Sequence, residues 1–235
     1  MKKTIYLHIG TEKTGTKSIQ KFCAENTAFL EENGIFYPYS TDKKYMHVRT
    51  HWPVAAALAD NKNWIPEDKR FSPEEVYSEL LEDIEKKSVP NVLLSAEPFA
   101  VHVVKKKQIA LIKKLFKEYT VKIIVYLRRQ DELFLSTLST MVKSGWYVKK
   151  IDYTDCFRHE ERYDYEKLLK RWADVFGKEN MVVKIYQLDL LKNCNIVSDF
   201  LDIFGLEAKN FNLKAYHENK SFSAEAFQYK NLINY

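Results

Sequence analysis

Short apolar runs alternate along this chain with longer stretches of helical period. Ile5, Tyr6, Leu7 and Ile9 make a β-type run that predicts a strand over Ile5–Ile9. Ser18 and Ile19 open a helical pattern that reaches Asn33, with Gly34 as its C′ stop. Ile35–Tyr37 reads as a short extended piece before Pro38. Ser72-Pro73-Glu74-Glu75 is a helix start, with a capping Ser, Pro in the first turn and acids against the dipole, and that helix runs to about Lys87. Val92–Ser95 and Val121–Leu127 read as buried strands, Lys106–Tyr119 and Asp131–Ser144 as helices. Tyr163–Phe176 is a further helix before Gly177, followed by a strand over Met181–Tyr186. Ile196–Phe204 is helical up to Gly205, and Ser223 starts a last helix. The stretch from Tyr39 to Phe71 is mixed and polar, with a helical patch at Val54–Leu58.

Strands alternating with helices predict an α/β fold with a mainly parallel central sheet flanked by helices. In such sheets ligands bind beyond the carboxyl ends of the strands. Gly10 to Ser18, Glu97, and Arg128 to Ser136 all follow strand ends and should share one crevice.

With 235 residues and 46% hydrophobic positions, the chain is expected to form a single domain, 1–235, with a real core. A net charge of +5 is spread along the sequence and forms no compact basic and aromatic block of the kind that reads nucleic acid. Lys105, Lys106 and Lys107, with Lys113 and Lys114, read as a solvated helix face. Cys23, Cys156 and Cys194 are too scattered for a metal knuckle or a disulfide framework and read as structural. No His, Cys and Asp cluster has metal-ligand spacing, so no metal is expected. No apolar run approaches the ~20 residues of a membrane span, and a strand begins too early to leave room for a cleavable signal. The expectation is a cytoplasmic protein.

The chemistry concentrates in IYLHIGTEKTGTKSIQ, Ile5 to Gln20. A strand, a glycine-containing loop and a helix start converge backbone N–H groups on one point, and the helix dipole adds positive potential. Lys13 adds a point charge, so a phosphate or sulfate-like ligand is expected. The spacing is not that of a Walker A loop. Gly10 and Gly15 have the right separation, but Thr16 stands where the Lys belongs, and Lys17-Ser18 comes one residue late. An ordinary strand–turn–helix is the plain alternative. A second cluster lies in VKIIVYLRRQDELFLS, where Arg128 and Arg129 end an otherwise buried strand and Ser136 follows two helical turns later. A strand-end Arg facing a crevice suits forked phosphate binding. The alternative is a surface cluster of Arg128 and Arg129 with Asp131 and Glu132.

Lys13-Thr14-Gly15-Thr16-Lys17-Ser18 resembles the 5′-phosphosulfate-binding loop of sulfotransferases that use 3′-phosphoadenosine 5′-phosphosulfate (PAPS), with Lys17 in place of the more usual Thr. Arg128 and Ser136 match that family's 3′-phosphate-binding positions. Asn219-Lys220-Ser221-Phe222-Ser223, followed by a helix with Asn231 and Asn234, is similar to the C-terminal segment of bacterial members. It lacks the Arg-Lys-Gly element of the cytosolic eukaryotic ones, and Lys220 or Ser221 would serve instead. The resemblance implies a P-loop-like sulfotransferase fold, PAPS as co-substrate without a metal, and a hydroxyl or amine acceptor, with a saccharide the acceptor suggested by bacterial relatives. It gives Lys13 the leaving 5′-phosphate oxygen. Glu97, before a strand-end Pro, lies roughly where cytosolic members place their catalytic His. As bases, Glu97 and His51 both stand open, with His47 a weaker third. Tyr39–Phe71 and Gly145–Arg162 are expected to shape the acceptor pocket, with Trp52, Trp64, Trp146 and Tyr147 as stacking surfaces or as core. Two other classes remain: a P-loop kinase or NTPase, which needs a strand-end acid for Mg²⁺, and a non-catalytic nucleotide-binding module.

Overall fold

Among the described residues, five strands form one parallel sheet in the order β2-β3-β1-β4-β5. They are β1 (Thr4–His8), β2 (Ile35–Phe36), β3 (Asn91–Ser95), β4 (Thr120–Leu127) and β5 (Met181–Ile185). The computed structural model describes residues 2–46, 48–154, 160–209, 211–216 and 222–235. His47, Cys156, Lys220 and Ser221 lie outside the described residues.

Side chains alternate across the sheet and build two cores. Ile5, Leu7 and Ile9 face one side with Val92, Leu94, Ile123 and Val125, beneath the helices Pro73–Lys86, Lys106–Leu115 and Tyr165–Phe176. Leu93, Ile124 and Tyr126 face the other, packed by Ile19, Phe22, Val197 and Phe200 of the helices Thr16–Glu25 and Ile196–Asp202. Burial on both faces explains why β1, β3 and β4 read as continuous apolar runs, whereas β5 at the edge has no buried residue. β1 lies at the centre, between β3 and β4. The chain leaves β1 toward β2 but leaves β4 toward β5, so the loops after β1 and β4 diverge. That is the topological switch point, where such sheets open a crevice.

The helices follow the sequence signals, with corrections. Ser72 and Glu75 form the reciprocal capping box at the start of Pro73–Lys86. The first helix is not continuous to Asn33: it breaks into Thr16–Glu25 and Thr27–Glu32 at Asn26. The Asn26 amide donates to the Phe22 carbonyl at 2.8 Å and to the Tyr216 hydroxyl at 3.1 Å, a side-chain competition with the helix ladder that periodicity does not reveal. The helix begun at Lys106 ends at Leu115. The expected Tyr163–Phe176 helix is divided at Asp164, which caps Tyr165–Phe176 by accepting from the Lys167 N–H at 2.8 Å. A short helix, Pro98–His102, directly after Glu97 was not foreseen. Cys23 is buried as expected, whereas Cys194 is exposed and is not a core residue.

Candidate active site

The Gly10 to Ser18 loop is fixed from within and from both neighbouring strands. β4 runs on past the end of β1, and the Ile9 N–H bonds to the Ile124 carbonyl at 3.0 Å. Thr11 donates to the Tyr126 carbonyl at 2.7 Å, and the Thr14 hydroxyl closes the loop on the Thr11 carbonyl at 2.6 Å. Gly10 (φ +57°) and Gly15 (φ +78°) turn the chain in the left-handed region. At Gly10 an added Cβ would come within 2.9 Å of Thr16 and 3.3 Å of Glu97; at Gly15 it would meet Ile196 at 2.9 Å. Both approaches are closed to any larger residue. The helix Thr16–Glu25 starts at Gly15 with no capping side chain. The Ser18 N–H bonds to the Gly15 carbonyl at 3.0 Å, while the Thr16 and Lys17 amides have no backbone partner among the described residues and are available to an anion.

A cleft of about 1110 Å³ opens over this loop. Lys13, Gly15, Thr16, Lys17, Ser18, Glu97, Arg128 and Ser136 all line it, so the three segments expected to share a crevice do so. Thr14 does not line it; its side chain is fully buried and serves the loop's own geometry. Lys13 reaches across the cleft, donating from Nζ to the Thr140 hydroxyl at 2.8 Å on the helix Gln130–Lys143. Partial burial lowers the pKa of its ammonium, opposed by the carboxylates of Glu12 and Glu97.

Arg128 and Arg129 separate in role. Arg129 is exposed and pairs with Asp131 at 2.7 Å and Glu132 at 4.0 Å; with Arg128 on Glu132 at 3.1 Å, the four-residue cluster foreseen as the alternative is formed. Arg128 lines the cleft, lies 5.5 Å from the Tyr186 ring, and donates from Nε to Glu132 at 3.1 Å and from Nη1 to the Lys13 carbonyl at 3.2 Å. Ser136 stands one turn before Thr140 on the same helix, and Thr140 in turn donates to the Ser136 carbonyl at 3.1 Å. Beyond residue 221, the Phe222 N–H bonds to Ser139 at 3.4 Å, so the C-terminal segment returns to the cleft wall there. Asn231 and Asn234 hold backbone: Asn231 exchanges two bonds with Val148, at 2.7 and 2.9 Å, and Asn234 donates to Trp146 at 3.0 Å.

Glu97 follows β3, half-buried, and accepts a hydrogen bond from the Thr16 hydroxyl. Burial raises its pKa, and the Thr16 bond partly offsets that. His51 is different. It is fully buried, and both ring nitrogens are engaged by backbone: Nε2 donates to the Pro38 carbonyl at 2.9 Å while Nδ1 accepts from the Ser95 N–H at 2.9 Å. Burial lowers its pKa to about 4. His51 is thus not placed to take a proton from an acceptor in the cleft; it is a neutral strut tying the loop before Trp52 to β3. Nor do the described residues of Tyr39–Phe71 line the cleft: Tyr45, Met46 and Val54 are buried in the core, and Trp52 and Trp64 pack on each other at 6.5 Å, with Trp64 stacked on His102 at 4.2 Å. Gly145–Arg162 does contribute, through Trp146 and Arg162. Sequence reasoning missed Glu12, Thr140 and Tyr186 and placed Glu132 only in a surface cluster; all four also line the cleft. The charge pattern beside the loop could have flagged Glu12, which pairs with Arg162 at 2.9 Å; nothing local marks Thr140.

No family model matches the chain. A sulfotransferase from Alicyclobacillus acidocaldarius superposes with a TM-score of 0.51 over 97% of this chain and 91% of that one, at 15% identity. The chain has the sulfotransferase fold. A sulfotransferase domain from the curacin biosynthetic pathway gives a TM-score of 0.44 over 96% of this chain and 82% of that one, at 12% identity. A structure from the PezAT toxin–antitoxin system of Streptococcus pneumoniae gives 0.41 over all of this chain and 88% of that one, at 13% identity. In sequence, a protein of Archaeoglobus fulgidus, itself uncharacterized, is 32% identical over 97 residues, which are 40% of this chain and 26% of that protein. The chain therefore spans about a quarter of that relative's length.

Proposed function

We propose that the protein transfers a sulfuryl group from PAPS to a hydroxyl or amine of an acceptor, with a saccharide as the acceptor class. The observation that carries this reading is that one cleft is lined both by Lys13 with the start of the helix Thr16–Glu25 and by Arg128 with Ser136, which we read as two anion subsites. A nucleotide phosphorylated at both the 5′ and 3′ positions matches such a pair; a simple mononucleotide leaves one side empty. The fold supports the same reading.

The chain's own groups supply what an in-line transfer needs. The acceptor's oxygen or nitrogen attacks sulfur and gives up its proton, the bond from sulfur to the 5′-phosphate oxygen breaks, and adenosine 3′,5′-bisphosphate leaves. Positioning and charge stabilisation dominate such a step. Lys13 would neutralise charge growing on the leaving oxygen. Glu97 would accept the acceptor's proton; its raised pKa brings it nearer the working pH of a general base. Lys17 and Ser18 would add to the 5′ subsite, and Lys220 or Ser221 to the 3′ side.

One observation favours a second reading. Thr16 and Glu97 sit hydrogen-bonded beside the loop, a hydroxyl and a carboxylate of the kind that organise Mg²⁺ in P-loop kinases. Isothermal titration of adenosine 3′,5′-bisphosphate and of ATP, with and without Mg²⁺, decides between the two. The transferase reading expects tight, metal-independent bisphosphate binding, weakened about ten- to a hundredfold in AMP by loss of one charge-assisted contact. ATP preferred with strict Mg²⁺ dependence would replace it with the kinase. With PAPS as donor, Lys13→Ala should lower kcat by about 10²-fold; wild-type turnover at saturating donor would remove Lys13 from the chemistry.

A further inference from the structure

Arg128 has more donors than a phosphate needs. A guanidinium carries five N–H groups in a fixed fork. Here Nε is taken by Glu132 at 3.1 Å and one Nη1 hydrogen by the Lys13 carbonyl at 3.2 Å, and Arg128 lines the cleft with three N–H groups to spare. The backbone of Arg128 is itself pinned, its carbonyl accepting from the Tyr165 hydroxyl at 2.5 Å. At the other end of the Nη1 bond, Lys13 holds φ +63°, a left-handed conformation that a residue with a Cβ keeps only when its surroundings enforce it.

We propose that Arg128 is a positioning residue for the Gly10 to Ser18 loop as well as a ligand for the second anion subsite, so that one guanidinium couples the two subsites. The proposal rests on the bisphosphate-nucleotide reading of the cleft. Its physical content is specific. Holding the Lys13 carbonyl fixes the peptide plane between Lys13 and Thr14, and with it the direction of the amides that follow and of the Lys13 side chain. Without that bond Lys13 relaxes toward negative φ, the peptide turns, and the 5′ subsite loses its geometry although none of its own residues has changed. Glu132 holds the fork at Nε and the loop holds it at Nη1, which leaves Nη2 and the second Nη1 hydrogen for a phosphate. Binding at the two subsites is then mutually reinforcing, because an anion that orders Arg128 also orders the loop.

The test sets a ligand for both subsites against ligands that lack the 3′-phosphate. Arg128→Ala and Arg128→Lys in the full chain are titrated with adenosine 3′,5′-bisphosphate, with 5′-AMP, which lacks the 3′-phosphate, and with inorganic pyrophosphate. Amide hydrogen exchange over residues 13–18 is measured without ligand, and thermal unfolding shows that each variant is folded. The brace predicts that Arg128→Ala weakens 5′-AMP and pyrophosphate by about five- to tenfold, the scale of one hydrogen bond, and speeds exchange in the loop. Arg128→Lys should recover little of either, since an ammonium cannot span Glu132 and the Lys13 carbonyl in one plane. Unchanged 5′-AMP affinity and loop exchange beside a loss of bisphosphate affinity would leave Arg128 a 3′-phosphate ligand only. Full recovery in Arg128→Lys would replace the brace with charge alone. If wild-type protein fails to prefer the bisphosphate over 5′-AMP, the nucleotide reading falls, and loop exchange in Arg128→Ala still decides the brace.

Discussion

Two titratable side chains flank the carboxyl end of β3, and they have opposite fates. His51 packs against Ser95, with its own N–H on the Ser95 carbonyl at 2.8 Å and its ring on the Ser95 N–H. Glu97 comes two residues later and faces the loop and the cleft. Both are desolvated, which favours the neutral form of each. The difference is hydrogen-bond capacity. Every ring position of His51 that could exchange a proton is committed to backbone. Glu97 has one oxygen on Thr16 and its other oxygen has no hydrogen-bond partner among the described residues. A buried titratable group is therefore informative about chemistry only once its partners are counted.

The largest expected effect separates the two directly. Glu97→Gln should cost about 10²–10⁴-fold in sulfuryl transfer, the range of a positioned base, while the affinity for adenosine 3′,5′-bisphosphate stays nearly constant. A near-wild-type rate would end the role proposed for Glu97, and a collapse of bisphosphate affinity would make it structural. His51→Ala should instead act on stability. It leaves the Pro38 carbonyl and the Ser95 N–H without partners in a sealed site, at about 1–3 kcal/mol each, so denaturant unfolding should shift strongly while turnover per folded molecule holds. Loss of turnover in a folded His51→Ala protein would reverse the comparison.

Proton linkage sharpens it further. The folded-state pKa of His51 is depressed to about 4, below the ~6.5 of an unfolded chain. Between those values the unfolded chain binds more protons, so stability present above about pH 6.5 falls as pH drops toward 4. His8, lowered by burial to about 3, adds to the same acid loss. Activity should respond to Glu97 on the other side of the comparison. A base works deprotonated, so kcat/KM should fall on the acid side through a pKa above the ordinary glutamate value of about 4.3, and that limb should be absent in the residual activity of Glu97→Gln. The smallest effect is expected from Thr16→Val, which removes the hydrogen bond that holds the Glu97 pKa down. The acid limb should move further up, measured as a pH–rate profile on the folded variant; an unmoved limb would detach Thr16 from the titration.

The parts of the site that use backbone were legible in the sequence. Gly10, Gly15 and the apolar run before them dictate a strand, a tight loop and an uncapped helix start, because only glycine tolerates both the positive φ and the approaches of Thr16, Glu97 and Ile196. Arg128 was legible because an Arg ending a buried strand needs an anionic or polar partner. The helix break at Asn26 was not, since it depends on a hydroxyl from Tyr216 as well as the local Phe22 carbonyl. Thr140 was not, since a threonine in a helix says nothing about a lysine that arrives from a loop after β1.

By itself the sequence determined the alternation of strands and helices, the parallel sheet and the presence of a tight glycine loop opening a helix, all consequences of local propensity and hydrophobic period. Tertiary structure alone decided which side chains the cleft keeps. It drew Tyr45, Met46 and Val54 of the polar-looking middle stretch into the core, sealed His51 between Pro38 and Ser95, left Glu97 open, and joined Arg128 to Lys13. The physical reason is that a hydrogen-bond partner or a desolvating neighbour can come from any point in the chain, and a residue's chemistry is set by those neighbours rather than by its place in the sequence.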